Sequence, residues 1–301
     1  MTSTLVSGGA GFVGRFIVEN LLAAGHAVTV MGRNAPPEGF FSAPVRFVEG
    51  TLDPSRDQSA AFDGIDCFIH AAFDHVAGKY RGGEGDDAIG FRFRNRDGSA
   101  ALFAAAKARG VKRVVFLSSR AVYGAQPAGA VLNEETPPHP DTLYSQVKLA
   151  SEEDLKAMSG AGFCGVSLRV TGVYGPGGIG REHKWADLFR DYLDGRPISP
   201  RAGTEVHGDD VGSAVRLMLE APEPEVSGEI FNVSDLLVDR HDLLSMLRDG
   251  VGSSHPLPDR AEHSAANVMA TAKIQALGWR PGGSASLENF VRSQATGRQP
   301  S

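Results

Sequence analysis

The stretch Thr4-Leu5-Val6-Ser7-Gly8-Gly9-Ala10-Gly11-Phe12-Val13-Gly14 decides the fold of this 301-residue chain. A short apolar run passes into glycines at 8, 11 and 14, and a helical pattern follows to residue 24. Glycine permits a tight turn and lets the backbone approach a pyrophosphate closely. A helix opening at Phe12 and Val13 would offer the anion free N–H groups and a positive dipole end. The G-x-x-G-x-x-G spacing also serves ordinary turns, and its place between a strand and a helix is what makes it a dinucleotide signal.

Outward from this point the first half alternates apolar runs with helical patterns, as parallel βαβ units do. Strands are predicted at 4–7, 27–31, 45–49, 67–70, 114–117 and 165–169, and helices at 12–24, 91–109, 144–159 and 181–194. The polar stretch 74–88 reads as a long loop near the site. Beyond residue 169 the pattern is broken by Gly-Pro clusters such as Gly175-Pro176-Gly177-Gly178, with one further short strand at 230–233. The expected fold is α/β: a doubly wound parallel sheet (Rossmann) with a smaller C-terminal α/β substrate-binding region. Residues 1–169 form the dinucleotide-binding part. Residues 170–301 form mostly the substrate region, discontinuous, with segments returning to the Rossmann core. The polar tail 294–301 is expected to fray.

Apolar residues make up 42% and charged residues 22%, a balance that can bury a core. A net charge of −6 gives no basic footprint for nucleic acid. Cys67 and Cys164 stand in apolar surroundings and read as buried free thiols. His70, His75, His183 and His207 lack ligand spacing, so no metal is expected. No run is long enough to span a membrane, and the opening Met-Thr-Ser-Thr lacks the features of a signal peptide. These features predict a cytoplasmic protein with a small-molecule substrate.

The second strand bears on the cofactor. NAD-binding versions usually end it with an acid that bonds the ribose 2′-hydroxyl. Here Met31-Gly32-Arg33 removes the carboxylate and supplies a cation that can pair with a 2′-phosphate. The balance leans to NADP over NAD; stacking on adenine, or a solvated strand end, are the other roles open to Arg33.

Tyr144 and Lys148 stand four residues apart in Tyr-Ser-Gln-Val-Lys and share one face of a helix. A neighbouring ammonium stabilises a phenolate, so a phenol there can exchange a proton with a substrate hydroxyl near neutral pH. Val114-Val115-Phe116-Leu117 runs into Ser118-Ser119. Strand ends of this kind meet the ligand in a doubly wound sheet, which sets Ser119 beside the reacting oxygen. Arg120 follows and could face a carboxylate or phosphate of the substrate, or pair with an acid such as Glu134. Tyr123 and Tyr174 have no Lys one turn on and read as packing or pocket residues.

At these motifs the chain resembles the extended short-chain dehydrogenase/reductase family, in its NAD(P)-dependent epimerase/dehydratase branch. The resemblance runs through the glycine motif, His70-Ala71-Ala72, Asn95-Arg96-Asp97-Gly98-Ser99 and Ser118 to Gly124. It continues through Tyr144 with Lys148, Leu168-Arg169, Val173 to Pro176, Val206 to Val211, Gly228 to Val233 and Leu277 to Pro281. It implies that Ser119, Tyr144 and Lys148 are catalytic and that Lys148 also bonds the nicotinamide ribose. Ala71, Ala72 and Phe73 would line the cofactor, with Leu52 near the adenine and Asn95, Ser118 and Val173 as further contacts. His75, Arg120 and Tyr174 would face the substrate. A homodimer pairing the helices at 91–109 and 144–159 across a two-fold axis is also implied.

Several departures narrow the chemistry. Ser119-Arg120-Ala121 replaces the Thr-Asp-Glu of the family's dehydratases, which disfavours elimination of water. Gly172 replaces the Asn before Val-Tyr-Gly-Pro, and Gly203-Thr204-Glu205 lacks the expected Arg, so two diphosphate clamps are missing. Thr51 replaces the Asp expected before Leu52 on the adenine side. The reading is an NAD(P)-dependent oxidoreductase on a small carbohydrate, sugar acid or related compound. The alternatives are a sugar epimerase, nucleotide-sugar or not, with tightly held NAD(P), and a catalytically silent NADP-sensing protein.

Overall fold

Alternation within single strands builds the two faces of the central sheet. The computed structural model describes residues 1–76, 83 and 85–296; residues 77–82 and 84 of the expected loop, and 297–301 of the tail, lie outside the described residues. In β1 (Ser3–Ser7), Leu5 packs to one side and Val6 to the other, as a period of two requires. On the Val6 side lie α1 (Phe12–Ala23) and α6 (Gly208–Glu220), which bury Ile17, Leu21, Val211 and Met218 against the sheet. On the Leu5 side Leu102 and Phe103 come from α3 (Gly98–Ala108) and Leu155 from α4 (Leu143–Met158).

The strands are β1, β2 (Ala27–Gly32), β3 (Arg46–Glu49), β4 (Cys67–His70), β5 (Arg113–Ser119), β7 (Cys164–Val170) and β10 (Ile230–Val233). They lie in the order β10-β7-β5-β4-β1-β2-β3, every neighbour parallel. The chain builds outward from β1 to β3, then returns to β1's other side with β4. That reversal opens a crevice at the carboxyl ends of β1 and β4, where ligands bind in such sheets. The six strands expected in the first half are all present, and β10 brings a late segment back to the sheet.

The helix expected at 91–109 is longer and not uniform. It comprises α2 (Ala88–Arg92), a wide π turn at Phe93–Asp97, and then α3. α4 starts behind Thr142, whose hydroxyl accepts from the Ser145 N–H at 3.1 Å while Ser145 Oγ accepts from the Thr142 N–H at 3.0 Å. The helix expected at 181–194 is shorter, α5 (Ala186–Leu193). Trp185 is buried against Tyr174, ring centroids 5.2 Å apart, and winding begins only behind it.

The later chain adds β6 (Val131–Leu132), β8 (Gly172–Tyr174), β9 (Ala202–His207), α7 (Glu223–Val226), β11 (Leu236–Asp239), α8 (Arg240–Val251), β12 (Val268–Met269), α9 (Ala272–Ala276) and α10 (Gly283–Thr296). β11, β9 and β8 make a small second sheet, and β6 pairs with β12. Tyr174, Phe189, Leu244 and Phe290 form a separate core between α5, α8 and α10. Cys67 and Cys164 are buried free thiols, and burial pushes Cys67 up to about 11.

Candidate functional site

The glycine loop is shaped by contacts that only hydrogen allows. Gly8 sits at φ +72°, and a β-carbon there would lie 2.7 Å from the Ala72 nitrogen. A β-carbon on Gly14 would collide with the Gly8 carbonyl oxygen and reach within 2.8 Å of Gly9 Cα. Gly11 N–H donates to Gly8 O at 2.8 Å and caps α1 without a side-chain oxygen, so no side chain competes for the first-turn N–H groups, including those of Phe12 and Val13. This cradle fits a dinucleotide pyrophosphate. Gly14→Ala should therefore displace the loop, lower cofactor affinity at least about tenfold and cost about 1–3 kcal/mol of stability. Cofactor titration and chemical unfolding measure both, and an unchanged affinity would remove the loop from the site.

Ala71, Ala72 and Phe73 follow β4 directly, beside Gly8. The strand end is pinned by His70, fully buried, whose Nδ1 bonds Ser7 Oγ at 2.7 Å and Nε2 bonds Ser99 Oγ at 2.8 Å. Burial, with a smaller contribution from the Lys148 charge, holds its pKa down to about 3. An unfolded His takes its proton near 6.5, so native stability from this group is intact above that pH and is lost as the pH falls towards 3. Unfolding free energies measured from pH 7 to 4 should show that loss, on the order of a few kcal/mol. His70→Asn should flatten the slope.

Lys148 and Tyr144 lie on the face of α4 turned to the same crevice. Lys148 is buried; its Nζ donates to Leu117 O at 2.6 Å and sits 4.5 Å from the Phe73 ring centre and 4.7 Å from that of Phe116. Burial lowers its pKa to about 7, against the opposing charge of Glu152. Phe73 also meets the Tyr144 ring edge-on at 5.0 Å, so one aromatic ring fixes both side chains. Ser119 ends β5, and its Oγ accepts from the Ala121 N–H at 3.2 Å. The fold thus sets Lys148 against β5 two residues before Ser119, which ends that strand, and holds Tyr144 and Lys148 on the one ring of Phe73.

Other expected residues take varied places. Asn95, on the π turn, is buried; its Oδ1 accepts from Asp74 N–H at 2.7 Å and its Nδ2 donates to Asp74 O at 2.8 Å. Arg33 is exposed, with Nη1 at 3.9 Å from Asp74 Oδ1. Leu52 packs at the edge of the core that holds Leu5 and Phe68. His75 follows Phe73, ring centroids 5.9 Å apart. Val173 is half-buried on β8, next to Val206. Tyr174 is fully enclosed among Trp185, His207 and Phe290, and burial raises its pKa. Arg120 donates to Asn267 O at 2.9 Å rather than to Glu134, whose Oε1 accepts from Asn232 N–H at 2.8 Å. The local turn after Ser119 directs Arg120 towards residue 267.

The support under the site is what sequence reasoning missed. Ser118 Oγ donates to Glu152, and Glu152 Oε2 accepts from Arg169 Nη2 at 2.8 Å with both side chains buried. The Arg169 guanidinium lies 4.7 Å from the Tyr123 ring centre, and Tyr123 hydroxyl meets Asn232 Oδ1 at 2.8 Å. A charged residue inside the apolar strand Val166-Ser167-Leu168-Arg169-Val170 is the available signal, because such a group must be paired. Among the described residues, no cluster of three or more His, Cys, Asp or Glu could hold a metal, and no helix is long and apolar enough to cross a membrane.

Residues 4–234 match the NAD dependent epimerase/dehydratase family. A UDP-glucose 4-epimerase of Lacticaseibacillus casei is 30% identical over 213 residues, 68% of this chain and 62% of that protein. A 3 beta-hydroxysteroid dehydrogenase/Delta 5-->4-isomerase of Mycobacterium tuberculosis is 31% identical over 203 residues, 64% of this chain and 51% of that protein. The matched part thus spans about half to three-fifths of these two relatives. The structure of a Thermus thermophilus UDP-glucose 4-epimerase in complex with NAD superposes with a TM-score of 0.76 at 28% identity, covering 99% of this chain and 100% of that one. The glycine cradle at the sheet's reversal and a match over three-quarters of the sequence lead to one assignment: this chain belongs to the NAD dependent epimerase/dehydratase family.

Proposed function

We propose that this chain is an NAD(P)-dependent oxidoreductase that transfers hydride to or from a hydroxyl or ketone carbon of a small carbohydrate, sugar acid or related compound. The observation that carries the reading is the grouping of Tyr144 and buried Lys148 around Phe73, one strand end from Ser119 and beside the glycine loop. The nicotinamide of a dinucleotide held in the glycine cradle would supply or accept the hydride. Tyr144 takes the proton from the substrate hydroxyl, or returns it to the carbonyl. Ser119 Oγ would hold that same oxygen, and Lys148 Nζ, with N–H groups beyond its bond to Leu117, is the residue that would hold the nicotinamide ribose. The ring of Phe73 keeps water from the Lys148 ammonium, so its charge acts at low dielectric.

The substrate side favours a compact molecule. A β-carbon on Gly172 would come within 2.6 Å of Glu205 Oε2 and 2.8 Å of Lys184 Nζ, so this ion pair fills the place of a side chain at 172. Burial raises the pKa of Glu205, with Lys184 opposing. Paired in this way, Glu205 and Lys184 carry no net charge, so they offer a diphosphate no free cation. The second reading, an epimerase that oxidises and re-reduces one carbon with retained cofactor, is favoured by the relatives named UDP-glucose 4-epimerase.

The test is to incubate the purified protein with NAD or NADP and a panel of sugars, sugar acids, alcohols and UDP-glucose. Cofactor absorbance and product NMR are followed together. Net cofactor reduction with a sugar or sugar acid supports the first reading. Conversion between epimers without absorbance change supports the second, and cofactor binding without any conversion would refute both.

A homodimer is part of the proposal. Ile89 is 85% exposed and Phe93, four residues on, is 44% exposed, giving the segment through α2 and the π turn an uncovered apolar stripe. Two copies meeting there would bury it. Light scattering across micromolar concentrations should give twice the chain mass; a monomer throughout would refute the dimer.

A further inference from the structure

β1, which carries the glycine loop, lies between β4 and β2 in the sheet. Asp74 follows β4 and Arg33 follows β2, yet Arg33 Nη1 and Asp74 Oδ1 are 3.9 Å apart. A contact between those two strand ends must pass over the end of β1, across the groove in which a dinucleotide would lie.

Asp74 is the fixed member of the pair. Asn95 holds both its N–H and its carbonyl, at 2.7 and 2.8 Å, and Arg94 Nε donates to its Oδ2 at 2.6 Å. Arg94 also reaches Asp87 Oδ2 at 3.1 Å. Arg33 is the adjustable member, its side chain 78% exposed. The two arginines and two aspartates of this group balance in charge, so Arg33 does not stand there as an excess cation. Its partner at the groove is a carboxylate that already takes up its charge.

We propose that Asp74 is a cofactor-selecting residue: by countering Arg33 over the glycine loop it withholds that cation from a 2′-phosphate, and so makes the chain prefer NAD to NADP. This inference rests on the dinucleotide reading of the loop. The acid that more usually ends the second strand is replaced in space by one from the far side of β1, held in place by Asn95 and Arg94.

Affinities for NAD and NADP, measured by titration calorimetry at low and raised salt, test it. Asp74→Asn should tighten NADP about tenfold, because Arg33 is then free to pair with the 2′-phosphate, a charge effect that salt should reduce. NAD affinity should stay within about twofold. In the Arg33→Ala/Asp74→Asn double variant most of the gain should disappear, because the cation that would take the phosphate is gone. Asp74→Ser is the second variant, keeping the backbone bonds to Asn95 should the first fold poorly. A wild-type preference for NADP, or an unchanged NADP-to-NAD ratio in both Asp74 variants, would overturn the proposal while leaving the loop reading standing. Binding of neither cofactor to the wild-type protein would overturn both.

Discussion

Tyr144→Phe should lower turnover by about 10²–10⁴-fold while cofactor affinity stays within about twofold. The substitution keeps the ring, and with it the edge-on packing against Phe73 at 5.0 Å. Only the hydroxyl is lost, so the effect should fall on the proton-transfer step. A loss of this size corresponds to roughly 3–5.5 kcal/mol in the barrier. Single-turnover kinetics with saturating cofactor would isolate it. A variant retaining more than about a tenth of the wild-type rate would show that Tyr144 is not the acid/base, since general acid-base catalysis is seldom worth so little.

Glu152→Ala should destabilise the fold more than Gly14→Ala does, by about 3–5 kcal/mol. The carboxylate side chain is 1% exposed and that of Arg169 is 3%, so the guanidinium left behind would be a buried charge without its counter-ion. Ser118 Oγ would lose its acceptor as well. Against a total stability of about 5–15 kcal/mol for a folded domain, that is a large fraction. Urea unfolding at neutral pH measures it. Adding Arg169→Met should recover much of the loss, because the charge and its missing partner then leave together. If the single variant unfolds within about 1 kcal/mol of wild type, the pair is not holding the end of β7 against α4.

The parts of the fold legible in the sequence are those set by local pattern. The apolar run Thr4-Leu5-Val6, the glycines at 8, 11 and 14, and the four-residue step from Tyr144 to Lys148 each fit within one or two elements, so local pattern locates them. The partners of Arg169 and Arg33 depend on which strands become neighbours. Glu152 falls within the helix expected at 144–159 and Asp74 within the loop expected at 74–88, and only the sheet order brings each to its arginine. Arg120 illustrates the same point: Glu134 is the nearer acid along the chain, yet the turn at 120–123 carries the guanidinium to Asn267. α5 starts later than the helical spacing predicts because Trp185, a residue tolerated in helices, is held outside the winding by stacking on Tyr174.

The wide turn at Phe93–Asp97 has a consequence for how this protein can vary in length. It holds one residue more than regular winding needs, and that residue aims Asn95 at the backbone of Asp74. Deleting a residue there other than Asn95 would let the helix rewind evenly and turn the segment on one side of the deletion by about 100° relative to the other, Asn95 with it. Asp74 would lose its anchor, and the Ile89 stripe would rotate away from its present direction. Substitutions in this segment should therefore be tolerated far better than insertions or deletions, so mutant libraries aimed at cofactor choice should hold its length fixed.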